Sequence, residues 1–282
     1  MGQKIPISTS FTMPDGKEVT IETGKLATQA DGSVVIRVGD TMLFCSVVSA
    51  TEAREGQSFF PLSVDYQEKF AAAGRIPGNF FRREAKLSDY EILTSRLVDR
   101  AIRPLFPDHY MNETQVIINL ISGDEETLPD AYAALAASAA FSVSDIPFDG
   151  PISEVRVGRV KGEYIVNPSR SQVAEADIEI IVAASEENVV MVEGEAKECS
   201  EKDLIEAIKV GHEAIKVQCK AQMELAQKVG DKALNKREVE PPPSDEELQK
   251  WVEAFAKDKV YEVAKGAHDK QTRKDNFKAI KE

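Results

Sequence analysis

Apolar and polar residues alternate over Val19–Thr23, Ser33–Val38, Thr41–Ser49 and Leu62–Tyr66, the two-residue period of strands with one buried face. Asp31-Gly32 and Gly39-Asp40 supply turn residues between them, so close hairpins in succession predict an antiparallel meander. The period then changes. Asp89 to Arg103 reads as a helix stopped by Pro104, and Gln115–Ser122 as a buried strand. PDAYAALAASAAFSVS reads as a second helix with Pro129 in its first turn, where a missing N–H costs nothing; its Ala and Ser residues predict a thin helix lying close on a sheet. Strands are expected again at Val155–Arg159, Tyr164–Asn167, Ile178–Ala183 and Val189–Glu193, with Lys161-Gly162 as a hairpin turn, before a long helix over Glu201–Val229. Groups of strands followed by helices, without regular alternation, give an α+β fold.

That first domain is expected to close near Gly230, covering residues 1–230, with an all-α segment over 231–282. Pro241-Pro242-Pro243 makes a stiff break, and Ser244 with Glu247 three positions on predicts a capping box for a helix through about Ala264. Another helical segment starts at about Lys270. Helical sequence then runs to the last residue without a cap or breaker, so the chain is expected to be part of a longer protein.

The chain has 282 residues, 42% of them hydrophobic but only 7% aromatic, so its core must be built from Val, Ile, Leu and Ala. Cys45, Cys199 and Cys219 are odd in number and lack CxxC spacing, which argues against a disulfide framework and against a zinc site and fits a reducing cytosol. The N-terminus has no signal-like apolar stretch, and no run approaches the roughly 20 apolar residues that cross a bilayer. A soluble, cytoplasmic protein with no membrane partner is expected.

Charge changes the picture locally. The chain carries a net charge of -13, yet from Lys69 to Arg103 there are eight basic residues against four acidic, a window of +4. Any polyanion is therefore confined to one place. Within it, the loop Gly74 to Arg83 holds Phe80-Phe81 beside Arg82-Arg83. Aromatics next to cations hold single-stranded nucleic acid by stacking, and the same rings equally suit a protein contact. In the helix that follows, Arg96, Arg100 and Arg103 fall within about 60° of one another at 3.6 residues per turn, opposite Leu97, Val98, Ala101 and Ile102. Three readings fit this stripe: phosphate contact, an ion-pair network between subunits or domains, or a solvated face in which Asp99 pairs with Arg96 and Arg103.

Nucleophile and phosphate-loop motifs are absent, and His109, His212 and His268 have no evident catalytic partners. The loop Gly123 to Asp130 leads into a helix N-terminus, but its four carboxylates would repel phosphate. Asp145 and Asp149 flank Ile-Pro-Phe and read first as turn residues, with Mg²⁺ binding as the sharper alternative.

The block DYQEKFAAAGRIPGNFFRREAKLSDYEILTSRLVDRAIRPLFP, with ETGKLATQADGSVVIRVGDT, SFFPLSVDYQE, ASAAFSVSDIPFDGPISEVRVG and MVEGEAKECSE, resembles the first half of the bacterial polynucleotide phosphorylase family. The resemblance runs from about Val19 to the end. It implies a ribonuclease PH-like domain followed by the start of a helical linker. It also implies an enzyme, active as the full-length protein, that degrades RNA from the 3′ end with inorganic phosphate as co-substrate, in mRNA degradation and processing. Three chains would form a homotrimeric ring around a channel for single-stranded RNA, with an RNA-degradation complex as a further partner. By that resemblance Phe80, Phe81, Arg82 and Arg83 line the channel constriction, and Arg96, Arg100 and Arg103 hold RNA or the ring interface. The family's phosphate-binding serines and Mg²⁺-binding aspartates belong to a second such domain, so no catalytic and no metal-binding residue is expected here. The rival readings are a non-catalytic RNA-binding ring subunit and a single-domain exonuclease like ribonuclease PH; the acidic loop and the helical tail disfavour the latter.

Overall fold

Four strands form an antiparallel meander, β1 (Ile7–Thr12), β2 (Glu18–Thr23), β3 (Gly32–Val38) and β4 (Thr41–Ser49), in the computed structural model, which describes residues 6–78, 86–241 and 245–282. β1 has no counterpart in the sequence pattern. It is mostly Ser and Thr, and only Thr9 and Phe11 are buried. β6 (Thr114–Ser122) pairs antiparallel with β4 and parallel with β5 (Leu62–Glu68), giving the order β1-β2-β3-β4-β6-β5. A parallel pair needs a crossover, and α1 (Asp89–Ile102) lies in that connection and packs on β5.

The second sheet is antiparallel, with β7 (Ser153–Val160), β8 (Glu163–Val166), β9 (Ile178–Ala184) and β10 (Val189–Ala196) in the order β10-β9-β7-β8. Its β7–β8 hairpin turns at Lys161-Gly162 as expected, with φ of 53° and 88°, the paired positive values that a two-residue hairpin requires.

α2 (Ala133–Ser142) is buried at all ten positions and packs against both sheets through β3, β4 and β7. The approach is close enough that a Cβ on Gly32 would lie 2.1 Å from the Ala140 carbonyl oxygen. The α-helix starts at Ala133 rather than Pro129, because Pro129–Tyr132 forms a tighter 3₁₀ turn first. A short helix, α3 (Arg170–Glu175), joins β8 to β9, and α4 (Glu201–Val229) covers the second sheet, with Gly211 seated on Val155, Val157 and Val182.

Helix α4 ends where the pattern predicted, yet the compact unit continues to Val239. After α5 (Asp231–Leu234), Lys236 Nζ donates to the carbonyls of Phe141 and Ser144 at 3.0 and 2.7 Å, caring for the open carbonyl end of α2. Arg237 donates to the Ser49 carbonyl and pairs with Asp145 and Asp31. These anchors hold residues past Gly230 to the first unit.

Residues 240–282 form a second unit of two helices, α6 (Glu246–Lys265) and α7 (Lys270–Lys281), neither of which has a buried residue. The α6 cap is Asp245, whose carboxylate accepts from the Glu247 and Leu248 N–H groups. Ser244, the expected cap, lies outside the described residues.

Candidate nucleic-acid interface

Ser88 and Glu91 form a capping box that starts α1, and Thr94, Val98, Ala101 and Ile102 form its buried face. The 3.6-residue period then leaves Arg96 and Arg100 exposed and Arg103 half-buried. The three arginines share a face but not an environment. Arg103 grips Asp99 with Nε at 2.9 Å and Nη2 at 2.6 Å, donates to the Phe60 and Leu62 carbonyls, and lies 5.6 Å from the Phe60 ring centroid. Four of its five N–H donors are used within the fold. Arg100 forms one ion pair, with Glu193 on β10, and both side chains stay about half exposed at 51% and 50%. Arg96 makes no ion pair among the described residues, so Asp99 serves Arg103 alone. Phe80, Phe81, Arg82 and Arg83 lie outside the described residues.

Arg96 and Arg100 line a cavity of about 830 Å³ between α1 and the β9–β10 side of the second sheet. Tyr90, Leu93 and Ile181 give it apolar wall, and Asp130, Arg156, Glu179, Glu193 and Glu195 give it charge. Arg156 on β7 is only 11% exposed and pairs with both Asp130 and Glu179. Two residues earlier on the same strand face, Glu154 is 1% exposed and neither carboxylate oxygen has a hydrogen-bond partner among the described residues. Burial, with the Asp130 charge as a smaller cause, pushes its pKa up to about 8, so it is a neutral acid at neutral pH. The sequence signal for this group was β-strand alternation itself: Glu154 and Arg156 alternate with apolar Val155 and Val157, hence share one face. No phosphate or metal pattern marks them.

The acidic loop also serves the fold. Burial would raise Asp124, but N–H bonds from Thr127 and Glu126 and the Thr41 hydroxyl at 2.8 Å outweigh it and hold its carboxyl at about 2. Glu126 accepts from Ser171, and Asp130 is the buried partner of Arg156. Asp145 is held by Arg237 at 2.5 Å. His109 and His212 each meet a backbone carbonyl at 3.1 Å, of Val239 and Ser185 respectively. Among the described residues no cluster of three or more His, Cys, Asp or Glu has a geometry for a metal ion, and the carboxylates nearest to such a role, Asp130, Glu179 and Asp145, already have arginine counter-ions. These residues do not fit Mg²⁺.

Two family models match the chain in series, both described as 3′ exoribonuclease family: domain 1 over residues 15–147 and domain 2 over residues 150–214. Their junction falls between α2 and β7. The polyribonucleotide nucleotidyltransferases of Cytophaga hutchinsonii and Bacteroides fragilis are each 55% identical over 98% of this chain, which covers 38% and 39% of their lengths. That of Christiangramia forsetii is 58% identical over 95% of this chain and 35% of its own. The chain thus spans less than two-fifths of the relatives that it matches. Among solved structures, a chain of the Archaeoglobus fulgidus exosome, solved with RNA bound to the active site, has a TM-score of 0.58 at 20% identity, covering 73% of this chain and 90% of its own. Rice Rrp46 has a TM-score of 0.56 at 16% identity over 74% of this chain and 92% of its own. At these identities the likeness is one of fold.

Proposed function

Because the chain belongs to the 3′ exoribonuclease family, we propose that it is the RNA-holding part of a polyribonucleotide nucleotidyltransferase, an enzyme that shortens RNA from its 3′ end by phosphorolysis and releases nucleoside diphosphates. The observation that carries this division of labour is the contrast along the cavity wall. Arg96 makes no ion pair among the described residues and Arg100 is held by one half-exposed partner, whereas Asp130 and Glu179 on the same cavity are already matched by Arg156. Such a surface can hold a phosphodiester backbone, while its paired carboxylates are engaged by arginine and not free to hold the metal that stabilises a transferred phosphoryl. In this reading inorganic phosphate and Mg²⁺ act in a further domain of the whole protein, which assembles as a homotrimeric ring in the cytoplasm and is open to an RNA-degradation complex. Phe80, Phe81, Arg82 and Arg83 line the ring's channel, residues 1–230 form the first ribonuclease PH-like domain with residues 231–239 anchored to it, and the helices of residues 240–282 begin the helical linker.

The test is incubation of the folded chain with a single-stranded RNA homopolymer, inorganic phosphate and Mg²⁺. We expect RNA to be retained at low salt with no nucleoside diphosphate released. Phosphate-dependent release would overturn the division and return Asp145, Asp149 and the α1 arginines to the catalytic list.

A further inference from the structure

Strand β10 brings two carboxylates, Glu193 and Glu195, to the same cavity wall that Arg96 and Arg100 reach from α1. The two acids are separated by one residue, so they project from one face of the strand about 6.6 Å apart. Gly194 between them is required by close packing. A Cβ there would lie 2.1 Å from the Glu179 carbonyl oxygen and 2.6 Å from the Ile180 Cα, so any other residue would push β10 off β9. The register Glu193↔Ile181, Gly194↔Ile180 and Glu195↔Glu179 fixes where both carboxylates stand. Glu193 reaches Arg100, and the pair is half exposed on both sides.

We propose that Glu193 is an intramolecular competitor for RNA: its carboxylate occupies the Arg100 guanidinium in the resting chain, and an RNA phosphate must displace it. The proposal rests on the reading of α1 as an RNA-holding surface. A carboxylate and a phosphate offer the same guanidinium fork the same kind of paired oxygen acceptors, so they compete directly. The position of the pair decides that exchange is feasible. A half-exposed ion pair is stabilised weakly, by a factor of about five at most, which a polyanion can overcome. Arg103, with two Asp99 oxygens and two carbonyls, does not exchange in this way. The stripe is therefore graded: Arg96 has no ion pair among the described residues, Arg100 is masked by Glu193, and Arg103 belongs to the fold.

The experiment is binding of a fluorescent single-stranded RNA homopolymer to the intact chain at low salt, by anisotropy, for wild type, Glu193→Gln, Arg100→Ala, their double variant, Arg96→Ala and Glu187→Gln. Glu187 is an exposed acid in the turn before β10 and controls for the general effect of removing one negative charge. We expect Glu193→Gln to tighten binding about threefold to fivefold, Glu187→Gln to change it little, and the gain to vanish in the Arg100→Ala background. If Arg100→Ala weakens binding but Glu193→Gln leaves it unchanged, or matches Glu187→Gln, the competition is refuted while the RNA-holding reading stands. If the wild type retains no RNA, or Arg96→Ala and Arg100→Ala both leave binding unchanged, that reading fails and takes the competition with it.

Discussion

Arginines on β7 and arginines on α1 meet opposite fates. Arg156 and Arg159 on the strand are 11% and 15% exposed, and each is held by two carboxylates, Asp130 with Glu179 and Asp177 with Asp203. On the helix Arg103 has one carboxylate, Arg100 one at half exposure, and Arg96 none among the described residues. A guanidinium taken out of water needs its charge and its donors answered, whereas one left in water does not. The strand arginines are therefore locked into the fold, as Arg103 largely is, and Arg96 and Arg100 retain capacity for an outside anion. A count of basic residues conceals this difference; burial reveals it.

The largest effect should come from breaking the locked side. Replacing Arg156 with Met leaves Asp130, 2% exposed, as a buried carboxylate without its counter-ion. We expect a loss of about 3–5 kcal/mol in chemical denaturation followed through the near-ultraviolet dichroism of the first unit's tyrosines. A loss below about 1 kcal/mol would mean that the buried pair is matched by solvent after all. Next in size is Glu154→Gln. The unfolded carboxyl titrates near 4.5 and the folded one near 8, so between these values the folded state binds a proton that the unfolded state does not. Stability contributed by this site is therefore full below about pH 4.5 and is lost as pH rises to about 8. Glutamine cannot ionise, so the variant should match wild type at pH 4 and below and exceed it by on the order of 4 kcal/mol at pH 8. Parallel pH profiles would show that Glu154 finds partners on ionising.

Most of this frame was legible along the chain, and the failures have physical causes. β2 to β7 and β9 were found because each buries one face or both; β8 and β10, which bury only Val166 and Met191, were found from their runs of β-branched and apolar residues, while β1 escaped because Ser and Thr occupy its alternating positions. Asp99 with Arg103 was legible because four residues make one helical step. Glu193 with Arg100 was not, since the partners are 93 residues apart and meet only through the packing of α1 against β10. Lys236 and Arg237, which carry the first unit past Gly230, escaped for the same reason: their acceptors on α2 and its following turn are 92 and 95 residues away, and the Ser49 carbonyl that Arg237 also reaches is 188 away.

Arg103→Ala sharpens the contrast within α1. It removes a two-point ion pair and two carbonyl contacts at 40% exposure, so about 1–2 kcal/mol of stability should be lost, with little change in RNA affinity. A variant of unchanged stability but weakened RNA binding would place Arg103 among the open arginines.

Arg96→Ala is the smallest perturbation of the fold and tests the open end of the series. No ion pair is broken among the described residues and the side chain is exposed, so stability should change by less than about 0.5 kcal/mol. If Arg96 meets a phosphate, the effect must show instead in the salt dependence of RNA binding. Each phosphate contact on a single strand contributes about 0.7 to the slope of log affinity against log salt, so the slope should fall by about that amount. Affinity should drop most at low salt, and the two curves should converge as salt rises, because the missing contact is worth least when counter-ions are plentiful. A slope unchanged within error would assign Arg96 to plain solvation, and the contrast between β7 and α1 would then separate buried from hydrated arginines without marking an RNA surface.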